Sequence, residues 1–409
     1  MDKQKRISFW KGTQKWWKSL GPGIITAALV FGPGSLTLTS KLGSVYGYDL
    51  IWVLVISTAL MLTFTGMGAR IGIATQQSLL KTFKDKWGSW ASVLAGLGIF
   101  FVCASFQAGN TIGAGLAFAE TFHTSSVPWI ALISILAASL LFFKSFYKVL
   151  EKVMMIMVGL MMVSFLITLM VAQPNWGEVL QGLRPKVPDS SLVLIIALVA
   201  SSFSVAGAFY QSYLVQEKGW SKEEVKEVKR ESFTGIILLG LISSMVLVSS
   251  GAILYPQGIE VKAATDMGKA LEPLYGTWAT GIFMLGLFGA SFSSLIGNAT
   301  IGGTLFADAL FLGRDLNSKP VKGLIMLIIL IGAVVAIVFG HLPLELIVFA
   351  QGITIFAVPF IGYGLFRIAN NKEIMGDLVN KTPSKIGGII GIVVLLFLAA
   401  SNFYNLFLT

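Results

Sequence analysis

The sequence predicts an all-α integral membrane protein of eleven spans, with the first and sixth spans broken near mid-membrane. Three observations carry this prediction. Apolar residues fall in long blocks, with only 12% charged residues and a mean hydropathy of +0.80. The first block is interrupted by Gly32-Pro33-Gly34-Ser35, and the sixth carries a small-residue run, Ser201-Ser202-Phe203-Ser204-Val205-Ala206-Gly207-Ala208. Blocks of roughly 17–25 apolar residues have the length that a bilayer demands of a helix.

The first block covers residues 22–46. Proline removes a backbone donor and glycine weakens helix, so two half-helices joined by an unwound stretch are expected. Such a break persists in a membrane only where the freed backbone meets protein, water or a bound solute, which makes it the first candidate transport site. Blocks at 49–73, 91–120, 127–143 and 149–172 complete a set of five. A second set follows at 191–216, 233–255, 277–312, 321–340 and 343–368, and 386–407 forms an eleventh span. Broken helices at matching positions of two five-helix halves are the mark of inverted repeats. The expected organisation is therefore a cytoplasmic arm at 1–20 and a transporter domain at 21–409. Within that domain the repeats fall at about 21–172 and 191–370, with the last span separate. The mixed-charge run 217–231 reads as a solvated cytoplasmic helix.

Charge supports the count and sets an orientation. With the N-terminus in the cytoplasm, inside positions hold 24 of the 30 Lys and Arg residues, and outside loops hold only Arg184, Lys186, Lys262 and Lys269. This is the positive-inside asymmetry of a multi-pass plasma-membrane protein, the inner membrane in a bacterium. It also accounts for the net charge of +10 without nucleic acid as a partner. Trp10, Trp16 and Trp17 among the lysines of the arm suit an interfacial anchor on the lipid bilayer. A single cysteine, Cys103, excludes an intramolecular disulfide, and neither hydrolase, kinase nor dinucleotide signatures occur, so no enzyme activity and no cofactor are expected.

Along almost its whole length the chain resembles the Nramp family of divalent-metal transporters. The resemblance rests on Gly21-Pro22, Gly32-Pro33-Gly34, Gly47-Tyr48-Asp49-Leu50 and Ile71-Gly72-Ile73-Ala74-Thr75. Leu150-Glu151-Lys152-Val153, Gln173-Pro174-Asn175, Ser293-Ser294 and Met375-Gly376-Asp377-Leu378-Val379-Asn380 extend it in the same order and spacing. It implies a LeuT-like fold of two inverted five-helix repeats plus an eleventh helix.

The departures from that family shape the functional expectation. The family's metal site uses Asp-Pro-Gly-Asn in its first helix and Met-Pro-His in its sixth; the matching positions here are Gly32, Pro33, Gly34 and Ser35, then Ser204, Val205 and Ala206. The family's acidic positions in its third helix align with Gln107 and Asn110. With carboxylate, amide and thioether all replaced, the expected substrate is not a transition metal, and no metal ligand is assigned. Half-helix N-termini at the breaks favour an anion, and the pattern resembles Nramp relatives regarded as bicarbonate transporters. The expectation is therefore a secondary carrier of a small monovalent anion, best bicarbonate. An amino acid or other small neutral solute is the alternative; a divergent magnesium carrier and a non-transporting receptor are weaker ones. Expected substrate-binding residues are Gly32, Pro33, Gly34, Ser35, Ser204, Val205, Ala206 and Gln351. Thr37, Lys41, Gln107 and Asn110 are candidate vestibule or pathway residues. Lys41 either attracts anions there or snorkels to the outer interface, and Arg70 reads as an interfacial anchor.

Overall fold

A computed structural model of the chain describes residues 22–263, 265–339 and 344–407. Among the described residues every regular element is helical. The first predicted span is two helices, α1 (Pro22–Val30) and α2 (Pro33–Tyr46), whose axes differ by 65°. After it come α3 (Ile51–Thr75), the short α4 (Leu79–Trp87), α5 (Ser89–Phe122), α6 (Ser126–Ser139) and α7 (Phe146–Ala172). A small α8 (Trp176–Gln181) leads to α9 (Leu192–Ser202) and α10 (Val205–Glu217), the two halves of the sixth span. Then follow α11 (Val225–Ile253), α12 (Asp266–Tyr275), α13 (Thr277–Ala309), α14 (Lys319–Phe339), α15 (Leu344–Ala369), α16 (Lys372–Met375) and α17 (Thr382–Phe407).

Each predicted span has a helical counterpart. Among the described residues, eight stretches are long and apolar enough to cross a bilayer, α9 and α10 counting together as one, and the bent α1–α2 pair makes a ninth. The predicted fourth and tenth spans coincide with shorter apolar stretches, Ser126–Phe142 and Ala357–Ala369. α4, α8, α12 and α16 are additions. α4 is an amphipathic surface helix whose start is fixed by the Ser78 hydroxyl accepting from the Lys81 N–H at 3.0 Å. The mixed-charge run 217–231 is not a separate helix. α10 ends in it at Glu217, and a capping box of Ser221 and Glu224 starts the turn that continues into α11.

The long helices α5 and α13 run against each other through the centre, and α1 and α2 lie beside them against α11. Contact between α1 and α11 is backbone to backbone: a Cβ on Gly235 would stand 1.9 Å from the Gly23 carbonyl oxygen, and one on Gly23 would stand 2.3 Å from that of Glu231. Only glycine permits this approach. α17 lies outside, with Ile386, Ile390, Val393 and Phe397 exposed on its outer face. A broad belt of exposed apolar side chains also includes Ile135, Met170 and Val338, and suits contact with lipid.

Candidate functional site

The site is built on two chain breaks that face one another. In the first, α1 ends at Val30 and α2 begins at Pro33, with Gly32 in extended backbone (φ −108°, ψ −176°) as the cap residue of α2. Proline suits the first helical position, where its missing N–H costs nothing. Space at Gly32 is tight: a Cβ there would stand 2.9 Å from both Asn110 Oδ1 and Ser294 Oγ, so both side chains would have to shift. The last carbonyls of α1, which have no partner within the helix, are taken up by α13. Ser293 Oγ donates to the Ala28 carbonyl at 2.9 Å, and Ser294 Oγ lies 3.3 and 3.2 Å from those of Ala28 and Leu29.

The second break falls at Phe203-Ser204. Ser204 (φ −79°, ψ 98°) caps α10, its hydroxyl accepting from the Gly207 N–H at 3.2 Å. Phe203 is anchored edge-to-face on Phe64, with ring centroids 4.9 Å apart.

Between the breaks lies a cavity of about 70 Å³. α1 and α2 supply Leu29, Val30, Gly32, Gly34 and Ser35. The sixth span supplies Ser201, Ser204, Val205 and Ala206. Asn110 and Phe106 enter from α5, Ser294 and Asn298 from α13, and Val358 and Pro359 from α15. Asn110 is 4% exposed, and its amide nitrogen has no hydrogen-bond partner. The free group is an N–H donor, and it stands beside a cavity whose wall is mostly apolar with a few polar side chains, so it is positioned for an acceptor on a solute or a water.

The structure thus gathers most of the sequence-predicted residues and separates others. Gly32, Gly34, Ser35, Asn110, Ser204, Val205 and Ala206 line the cavity, whereas Pro33 turns towards Gly113. Thr37 is buried outside the cavity lining, with its hydroxyl donating to the Pro33 carbonyl at 2.8 Å. Gln107 is likewise buried, donating from Nε2 to the Leu295 carbonyl at 2.8 Å, and ties α5 to α13. Lys41 is no free cation: it pairs with Glu260 at 2.8 Å and pins the segment after α11 onto α2. Arg70 donates to the Leu378 carbonyl at 3.1 Å and Asn380 Oδ1 at 2.7 Å. The Gln351 side chain lies outside the described residues. Sequence reasoning missed Ser294 and Asn298 as cavity residues, and Pro359 too. Their signals were present: polar side chains and a proline inside otherwise apolar spans.

The family profile for natural resistance-associated macrophage protein-like (Nramp) proteins matches residues 23–405. The chain belongs to the Nramp family. Among curated relatives, the divalent metal cation transporter MntH of Caldanaerobacter subterraneus subsp. tengcongensis is 25% identical, the match covering 99% of this chain and 97% of the relative. The protein of the same name from Chromohalobacter salexigens is 27% identical over 96% of this chain and 92% of its own length. In three dimensions the chain resembles the Eremococcus coleocola manganese transporter, with a TM-score of 0.77 at 18% identity over 96% of this chain and 89% of the other. MhsT in complex with L-phenylalanine matches with a TM-score of 0.58 at 16% identity, over 93% of this chain and 98% of the other. These likenesses give the Nramp protein its LeuT-like fold of two inverted five-helix repeats plus an eleventh helix.

The same comparisons correct the substrate expectation. Full-length curated relatives are named as divalent metal cation transporters, which overturns the sequence-based carrier of bicarbonate or another non-metal solute. The physical reason lies at the breaks. The anion argument counted only the positive N-terminal ends of α2 and α10. The carbonyl-bearing C-terminal ends of α1 and α9 also line the cavity, through Leu29 and Val30 and through Ala200 and Ser201. Helix C-termini carry partial negative charge, and in broken-helix carriers such ends and unwound carbonyls coordinate cations.

Proposed function

We propose that this Nramp protein is a membrane transporter of a hard divalent metal cation, of the magnesium or manganese kind, bound between the two helix breaks with part of its water shell retained. The observation that carries the proposal is the donor set of the cavity. Ser35, Asn110, Ser294 and Asn298 bring neutral side-chain oxygens to the cavity wall, while the Ala28 and Leu29 carbonyls at the end of α1 are engaged by Ser293 and Ser294. Among the described residues no three His, Cys, Asp or Glu side chains come together as a metal cluster. Oxygen donors suit hard cations, whereas soft transition ions call for sulfur or imidazole. Neutral donors make a weak site, and weak binding favours an ion that keeps several waters. A cavity of about 70 Å³ has space for such waters, at roughly 10–15 Å³ each.

The names of the full-length relatives support the same substrate class. The proposed organisation has repeats at about 21–172 and 191–370, each opening with a broken helix, with the N-terminus in the cytoplasm on the strength of the positive-inside count. The test is a calorimetric titration of the purified protein with manganese and magnesium. Binding of either ion, weakened about tenfold or more in an Asn110→Ala, Asn298→Ala double variant, supports the reading. Equal binding by wild type and variant would place the cation elsewhere.

A further inference from the structure

A second and larger cleft, of about 570 Å³, opens at the end of the molecule where α3 finishes and α11 and α17 begin. α3 lends it a stripe at helical spacing: Ala59, Leu62, Thr63, Gly66 and Arg70. α11 lends Val228, Lys229 and Phe233, and the approach to α17 lends Asp377, Leu378, Lys381 and Pro383. Three cations, Arg70, Lys229 and Lys381, thus face one carboxylate, Asp377.

The cleft has a charged floor and an apolar wall. Arg70 spends its hydrogen bonds on neutral oxygens, the carbonyls of Gly66 at 3.0 Å and Leu378 at 3.1 Å and Oδ1 of Asn380 at 2.7 Å, so its position is fixed and its charge is not cancelled. Lys229 Nζ lies 5.4 Å from the Phe233 ring centroid, with its stem along the wall. Above this level the wall of Leu62 and Phe233 runs into the exposed apolar belt, through Ile56 of α3, Ile237 of α11 and Ile386 of α17. A positive floor joined to an apolar wall at a membrane boundary matches a lipid with an anionic head.

We infer that this cleft binds an anionic phospholipid, its phosphate near Lys229, Lys381 and Arg70 and an acyl chain along Leu62 and Phe233. The chain's own N-terminal arm is the competing occupant, because α1 starts beside α11, where the Gly23 N–H donates to Glu231 Oε1 at 3.3 Å. That arm carries Lys3, Lys5, Arg6, Lys11, Lys15 and Lys18 against Asp2 alone, so like charge opposes its entry. The site is independent of which ion the central cavity carries.

The test is native mass spectrometry of the full chain with phosphatidylglycerol, phosphatidylcholine and inorganic phosphate, in wild type and a Lys229→Gln, Lys381→Gln variant. Both lysines are exposed, so the variant should fold, and an unchanged melting temperature checks this. Wild type is expected to retain phosphatidylglycerol over phosphatidylcholine, and the variant to lose about tenfold or more of that preference, since each basic residue near an anionic leaflet contributes about fivefold. Equal retention of the two lipids, or an unaltered preference in the variant, would overturn the site. Displacement of the lipid by inorganic phosphate would overturn the lipid in favour of a soluble anion.

Discussion

Asn110 and Ser35 are where the chemistry of this site is decided. Asn110 turns its Oδ1 towards Gly32 while its amide N–H groups have no partner, and Ser35 brings a hydroxyl to the cavity from the first turn of α2. For a cation, a carboxylate in place of the Ser35 hydroxyl strengthens the site. Ser35→Asp is therefore expected to tighten manganese binding on the order of tenfold, the difference between a neutral and a charged ligand contact. Weaker binding in a folded variant would show that the cavity does not hold a cation. Gly32→Ala should abolish binding by driving a Cβ against Asn110 and Ser294; retained affinity would mean that the break is not part of the site. At the far end of α2, the Lys41 hydrogen bond first, and its charge second, hold the Glu260 carboxyl below the usual carboxylate range. A depressed folded-state pKa stabilises the fold above the unfolded carboxylate's pKa, and that contribution is lost as the pH falls through the folded one. The melting-temperature difference between wild type and Glu260→Gln should be small, because the carboxylate is exposed, and should shrink on acidification below the usual carboxylate range. A difference that holds constant into acid would leave the pair without a role in stability.

At the scale of elements, each break depends on a partner that takes up its freed backbone. Ser293 and Ser294 do so for α1, and Ser204 for α10. A Ser293→Ala, Ser294→Ala variant should lose about 1 kcal/mol per hydrogen bond and loosen the α1 end, read as a lower melting temperature with weaker ion binding. Unchanged stability would mean that water replaces the hydroxyls without cost. The first break was legible because Gly32-Pro33-Gly34 is a local signal, and the second because small residues cluster at the matching place. The amphipathic α4 and α12 escaped a reading based on long apolar blocks, since their apolar faces show only at helical period. Asn298 was invisible as a site residue because nothing local separates a polar group facing a cavity from one bonding a neighbouring helix. The pairing of Lys41 was illegible for a related reason: its partner, Glu260, is remote in sequence, and only packing joins them.

Across the whole molecule, the end opposite Lys41 is held by polar contacts within the second proposed repeat and from it to the first. Tyr213 of α10 donates to Asp308 of α13 at 2.6 Å and accepts from the Leu80 N–H of α4 at 3.3 Å. Gln216 donates to the Gly72 carbonyl at 2.8 Å and accepts from Arg314. A solute leaving by this end requires those ties to open. Gln216→Ala should therefore speed thiol labelling of Thr304→Cys, which lines a small cavity beside Gln216 and Arg314. The sole native cysteine, Cys103, is buried and leaves little background. Equal labelling rates would show that Gln216 does not hold this end closed. The central claim, that a family scaffold with neutral oxygen donors at its breaks carries a hard divalent cation, is tested most directly by flux. Purified protein in liposomes loaded with metal- and pH-sensitive dyes should admit manganese or magnesium, with the rate falling in Asn110→Ala. Movement of bicarbonate with no divalent uptake would contradict it.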